Sequence, residues 1–332
     1  MRSSRPLALL ATALTILACS AAAQAQVPTR GFAVERLYPA APGAGWLVME
    51  DLQLEGGLGA AVAVLGGYAH APLRLTSANG AQHLDVVSGQ AFAGVGLAVH
   101  YDRYRLSVQL DSPLSITGSS GSVDGYTFRA PSVDIGRYPD KITDFRLGLD
   151  ARLLGEAHGS WRLGASAQLI VPSGDRDLYV TDDTVRGMAR LLFAGDAGLF
   201  CYAAHLGAHL RPLNDAPVPG SPRGSELLFG VAGGARLAQG EKTAFVIGPE
   251  VFGQTAFSSF FASSATGLEA LLTARFEHQQ DTGALLRIKA GMGAGLHPQF
   301  GAPEWRGVLA LELSGRTSPP PAAATAQPDF AR

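Results

Sequence analysis

Few residues of this 332-residue chain stand at spacings that suggest chemistry. His205 and His209 lie four apart, which on a helix would place both on one ion. On a strand the same spacing spans roughly 13 Å, too far for a shared metal, so the two read as lining residues beside Arg211. Asp175, Asp177, Asp182 and Asp183 could offer oxygens to a hard cation, but in a connecting segment they read first as a solvated loop. No Gly-x-Ser-x-Gly elbow, phosphate loop or Cys/His framework occurs. The expectation is no catalytic residue, no cofactor and no metal site.

Composition narrows the class. Lys and Arg total 26 against 28 for Asp and Glu, and charged residues make up 16%, so attraction to a polyanion, nucleic acid included, is not expected. Gly at 41 and Pro at 20 point to many turns. The mean hydropathy is positive. Past the first 25 residues no apolar run approaches the roughly 18 residues that a spanning helix needs, so a helical membrane protein is excluded.

Residues 1–25 read as a signal peptide: Arg2 and Arg5, an apolar stretch from Leu7 to Ala18, and Ala23-Gln24-Ala25 before Gln26. A second reading stays open, because Ile16-Leu17-Ala18-Cys19 loosely matches a lipoprotein box that would leave Cys19 lipidated. Both send the chain past the inner membrane. Cys201 is then alone, so no intramolecular disulfide is expected.

The elements that must hold any site are strands. Leu147, Leu149, Ala151 and Leu153 alternate with Arg146, Gly148, Asp150 and Arg152, and Trp161 to Val171 repeats the theme. Period two puts apolar residues on one face and polar residues on the other. About fourteen such segments are expected: 32–38, 46–55, 58–70, 87–100, 103–114, 142–154, 161–172, 186–194, 199–211, 226–238, 243–257, 266–277, 284–296 and 308–314. Their connections alternate between short (Tyr101-Asp102, 195–198, 239–242) and long (115–141 above all). Tight turns at one end and longer loops at the other suit an antiparallel transmembrane β-barrel with periplasmic turns and external loops. An even strand number would return both termini to the periplasmic side. The alternative is a soluble two-sheet sandwich. Against it stand the strand lengths and the aromatics near strand ends, among them Trp46, Tyr68, Tyr101, Trp161, Tyr202, Phe257 and Trp305. Glu50 is a blemish, sharing a face with Trp46, Val48 and Leu52. Residues 26–315 form the barrel on this reading, and the Pro/Ala-rich 316–332 a disordered tail.

With polar faces inward, the lumen is lined by Arg105, Arg146, Arg152, Arg162, Arg186, Arg190, Arg211, Arg236, Arg275, Arg287 and Lys289. The inward acids are Asp51, Glu55, Asp111, Asp150, Glu226, Glu250, Glu269, Glu277 and Glu312, and His205 and His209 join them. Six of the arginines fall on the arc from 142 to 211 with only Asp150 as a counter-charge. Two readings follow: a transverse field that orients small solutes, or cross-lumen salt bridges that close the barrel.

Three phrases carry a family resemblance. Ile142-Thr143-Asp144-Phe145-Arg146-Leu147-Gly148, Pro172-Ser173-Gly174-Asp175, and Gly31-Phe32-Ala33-Val34-Glu35-Arg36 followed by Trp46 resemble Gram-negative outer-membrane barrels. They resemble in particular the N-terminal barrel of large OmpA-family proteins and the MetA-pathway (phenol degradation) transporter-like barrels. The resemblance spans roughly 32–314 and implies an outer-membrane location, lipids as surroundings and the barrel-assembly machinery as a partner in biogenesis. The chain departs from the OmpA-family pattern by stopping within a linker-like tail, so peptidoglycan anchoring is not carried over. The last strand also lacks the terminal aromatic common in assembly signals. The leading function is a porin-like or transporter-like channel for small solutes. A structural barrel with a filled lumen is the alternative, and a barrel enzyme acting on lipid the third reading.

Overall fold

Alternation along the chain becomes alternation between outside and inside. In β4 (Phe145–Leu154), Leu147 and Leu149 are exposed while Arg146, Asp150 and Arg152 are buried. The same inversion runs through the computed structural model, which describes residues 27–137, 140–213, 224–297, 299 and 301–316. The other strands of the wall are β1 (Leu58–Thr76), β2 (His83–Tyr101), β3 (Tyr104–Thr117), β5 (Arg162–Val171), β6 (Arg186–Ala197) and β7 (Phe200–Leu210). They continue with β8 (Glu226–Gln239), β9 (Thr243–Ala256), β10 (Thr266–Gln279), β11 (Leu285–His297) and β12 (Trp305–Arg316). Each pairs antiparallel with its neighbours in the chain, and β12 returns to β1, from Trp305 against His70 to Arg316 against Gly59. The barrel is closed. A soluble sandwich would bury its leucines and expose its arginines. Here Val95, Leu97, Leu191, Leu206 and Leu309 face out, while Arg105, Arg162, Arg190 and Lys289 are buried.

Twelve strands, not fourteen, make this wall. The two segments that fail as strands are 32–38 and 46–55. Neither has a strand partner, and both run through the lumen with nearly every residue buried. Their alternation had a different cause: apolar and polar residues meet different walls of the same interior. The correction removes the Glu50 anomaly, because Glu50 lies in the lumen against Arg105. It also takes Trp46 out of the aromatic belt, since that ring is buried inside. Asp51 and Glu55 likewise belong to the lumen segment and not to the wall.

The alternation of connections holds. Tyr101 and Tyr104 flank a tight turn, Ala197 and Phe200 another, and Gln239 and Thr243 a third, all at the end where β1 begins and β12 stops. At the opposite end lie the 118–144, 172–185 and 257–265 connections. The expectation that both termini share one end is not met by the described chain. Val27–Pro28 pairs with Tyr126–Thr127 at the long-loop end, and residues 29–57 then descend the lumen to the short-turn end before β1 starts. The described part of the 115–141 loop lies at the long-loop end. Its strands Gly121–Val123 and Tyr126–Phe128 form a ribbon, and Val133–Asp134 pairs with β3. Val123, Phe128 and Val133 pack with Phe32, Leu73, Val86, Ile116, Leu178 and Tyr179 in a small apolar core at the outer end. The expected signal peptide of residues 1–25 and residues 317–332 of the tail lie outside the described residues, and Arg316 belongs to β12.

The outward face sets the first test. Leu149, 45% exposed, sits midway along β4. Leu149→Arg is expected to cost about 2–4 kcal/mol of stability in a bilayer, read by reversible urea unfolding in lipid vesicles. Ser107→Ala, on an inward position of β3, is expected to change the midpoint far less.

Candidate functional site

The lumen and the segment 29–57 inside it form one polar-and-apolar unit, so the site is built from both. At mid-height Trp46, Leu47, Val48 and Met49 pack against inward residues of six or more strands, including Leu65, Phe92, Cys201, Ala232, Phe252 and Leu271. Wall glycines leave room for them. A Cβ on Gly234 would come 2.7 Å from the Trp46 ring, and one on Gly291 would come 2.4 Å from Leu47 Cδ1. That close approach explains Gly234 of β8 and Gly291 of β11.

Glu250 of β9 is the centre of the arrangement. Its carboxylate, fully buried, accepts backbone N–H groups from Leu47 (2.9 Å), Val48 (2.8 Å) and Met49 (3.1 Å). The Thr273 hydroxyl donates to it at 2.7 Å. Three consecutive amides with no strand partner are thus satisfied by one side chain, which a buried non-regular segment requires.

Toward the short-turn end, cations of the wall take up carbonyls of the segment. Lys289 Nζ donates to the carbonyls of Ala44 (3.1 Å) and Trp46 (3.0 Å), and Arg287 to that of Gly43 (3.0 Å). Arg162 reaches the Asp51 carbonyl at 2.8 Å and Arg152 that of Leu54 at 2.9 Å. Arg105 bridges Glu50 of the segment and Asp150 of the wall, the latter at 2.8 Å. Toward the long-loop end the pairing is between charges. Arg306 holds Glu35 through two 2.8 Å bonds and Glu269 at 2.7 Å. Arg36 meets Glu226 at 3.1 Å, and Arg211 joins Glu226 (2.7 Å) to Asp182 (2.8 Å). Asp182 accepts the Ala33 amide at 2.8 Å.

The arginines and the lysine of the wall are largely buried, and they act as ties to acids, hydroxyls and carbonyls. Arg146 pairs with Asp111 at 2.8 Å, and Arg190 donates to Ser166 at 3.2 Å. Arg275 lies 5.7 Å over the Trp46 ring, and Arg236 meets Asp196 at 3.2 Å near the short-turn end. His205 lies beside Gly230 and Met49. His209 stands 3.5 Å from the Tyr38 hydroxyl and 3.4 Å from Glu226, so the two histidines serve different contacts and do not converge. Of the two readings of the arginine arc, ion pairing describes the structure and a bare transverse field does not, but the partners stand on neighbouring strands, on the connections beside them or on the inner segment, and not across the lumen. Arg186 pairs with Asp144 at 2.6 Å, Arg162 with Asp196 at 2.8 Å and Arg211 with Asp182, three acids outside the inward set drawn from the sequence. Sequence reasoning also missed Glu35, Arg36 and Arg306. Arg306 directly follows Trp305, and beginning the last strand at 308 left it out. Among the described residues no group of three or more His, Cys, Asp or Glu side chains could hold a metal.

Asp182 lies in the 172–185 connection. Burial opposes its ionisation, but Arg211 and Arg186 outweigh that and hold its carboxyl well below the usual carboxylate range. A depressed folded value contributes stability above the ordinary Asp value near 4 and loses it as pH falls through the folded value. The Ala33 amide is therefore expected to stay protected from hydrogen exchange at pH 4 and to lose protection only in stronger acid. In Asp182→Asn, protection should already be reduced at pH 7. A second variant tests the centre: Glu250→Ala strands three buried amides and is expected to cost about 3–5 kcal/mol, seen as faster exchange at Leu47 to Met49 and easier proteolysis of 29–57 with the wall still heat-modifiable.

No family model matches this chain, and no curated protein matches it in sequence. Solved structures do resemble it. The COG4313 outer membrane channel from Pseudomonas putida F1 superposes with a TM-score of 0.52 at 14% identity, over 79% of this chain and 96% of that one. The NanC porin gives 0.46 at 8% identity over 77% and 99%, and a Pseudomonas aeruginosa FadL homologue 0.40 at 10% over 87% and 99%. At such identities the likeness is one of fold, and the fold is that of an outer-membrane β-barrel.

Proposed function

We propose that this chain is a porin-like or transporter-like barrel of the outer membrane that is closed at rest by its own segment 29–57 and passes small solutes when that segment shifts. The observation that carries the reading is the way the segment is held. Wall and segment are joined by hydrogen bonds and ion pairs around Glu250, Arg105 and Arg306, and no strand pairing fixes it. Contacts of that kind exchange for water or solute one by one, whereas a strand in the wall could not leave without opening the barrel. The fold likeness to a protein described as an outer membrane channel supports the same reading. The sequence phrases shared with MetA-pathway transporter-like barrels fit it better than OmpA-family kinship does. Export through a cleaved leader, outer-membrane lipids as surroundings and passage through the barrel-assembly machinery belong to this proposal.

The second reading, a structural barrel with a permanently filled lumen, has the dense inner pairing in its favour. Planar-bilayer conductance of the refolded chain separates the two. The channel reading expects brief openings from the wild type and at least tenfold higher open probability from Glu250→Ala. Silence from both, with folded barrels confirmed by heat modifiability, would establish the filled structural barrel instead.

A further inference from the structure

The outward wall is uneven on the β6–β9 side. Ala204 of β7 faces out between Phe193 of β6 and Val231 of β8, its direct neighbours in register. Leu206, the next outward residue of β7, is paired with Leu191 and Phe229. A methyl among these larger side chains leaves a groove of about 320 Å³, with Val251 of β9 on its far side. Tyr202, two residues from Ala204 toward the short-turn end, lies 5.8 Å from the Phe193 ring. Above it the connection 257–265 carries Phe257, Phe260 and Phe261 and no charged residue. The three rings are 45%, 51% and 61% exposed.

These rings lean toward the outer wall and not over the lumen. Phe261 lies 6.2 Å from the outward Phe229, and Phe260 packs edge-on against Phe261 at 4.7 Å. The backbone of Phe261 is left-handed (φ 55°), a conformation that costs a bulky residue energy. Thr255 holds it there by accepting the Phe261 amide at 2.8 Å. Strain is thus spent on presenting an apolar ring at the rim. Phe229 joins the rim to the groove, since it lies beside Phe261 and lines the groove, and Leu191, Phe193, Leu206 and Val231 of the groove belong to the exposed apolar face of the barrel.

We propose that this groove and its phenylalanine rim bind one lipid acyl chain, with Phe260 and Phe261 immersed in the outer leaflet. The assignment rests on the membrane-spanning reading above and adds a specific lipid site to it. A lipid chain fits because the groove lies on the outward face among the exposed apolar residues of the barrel and has no Asp, Glu, Lys or Arg in its lining.

Two measurements test it on the full chain refolded in vesicles of palmitoyl-oleoyl phosphatidylglycerol. After transfer to detergent, native mass spectrometry is expected to show one retained phospholipid on the wild type and at least fivefold less on Ala204→Phe, which fills the groove from the outside. Equal retention by both, or none by the wild type, overturns the groove. In a Cys19→Ala, Cys201→Ala background, a spin label on Phe260→Cys is expected to collide more with oxygen than with an aqueous nickel chelate. Greater access to the nickel chelate overturns the immersed rim. So does shielding from both reagents with dipolar broadening between labels, which would instead assign the rim to a second copy of this chain. A label on Leu149→Cys reports insertion separately. Lipid access there with water access at 260 removes only this proposal, and water access at both removes the membrane reading as well.

Discussion

The structure depends on how a buried carboxylate is satisfied. Glu250 is held in the lumen by the β9 backbone, and its partners among the described residues are the amides of Leu47, Val48 and Met49 with the Thr273 hydroxyl. A charge so placed without partners would be costly enough to open the interior to water. With them it turns an irregular segment into the core of the barrel. Side chains then follow: Trp46 against Gly234, Leu47 against Gly291, and the ring of cations that take up the remaining carbonyls.

The barrel therefore has two solvents. Outside, exposed valines and leucines suit an apolar surrounding. Inside, arginines bind acids and peptide carbonyls in place of water. Guanidinium groups suit this interior because their several N–H donors reach two partners at once, as Arg105, Arg211 and Arg306 do. On the proposed channel reading, passage needs some of those bonds to be exchanged, and the segment 29–57 is the element on which transport would turn.

Much of the wall was legible from the residues. From 58 onward every expected segment is a strand, with ends shifted by a few residues, because period two and glycine-marked turns are local signals. The inward positions of Arg105, Glu250 and Lys289 follow from the same alternation. Residues 32–38 and 46–55 misled for a physical reason: a segment crossing a filled lumen also meets apolar and polar surroundings in turn. The acids Asp144, Asp182 and Asp196 were invisible as partners because they lie at strand ends and in a connection, where alternation carries no information about which way a side chain points.

What the order of residues determines here is thus a periodicity, a set of turns and the sign of each face. Those are properties of neighbours in the chain, and they suffice for an antiparallel barrel with unequal ends. How many strands close it, and what occupies its interior, are decided by contacts between residues more than two hundred positions apart, such as Leu47 with Glu250 and Glu35 with Arg306. No local pattern encodes such a meeting. It arises because a closed wall leaves one polar interior, and the only described chain of matching length and hydrogen-bonding need is the segment that precedes the first strand.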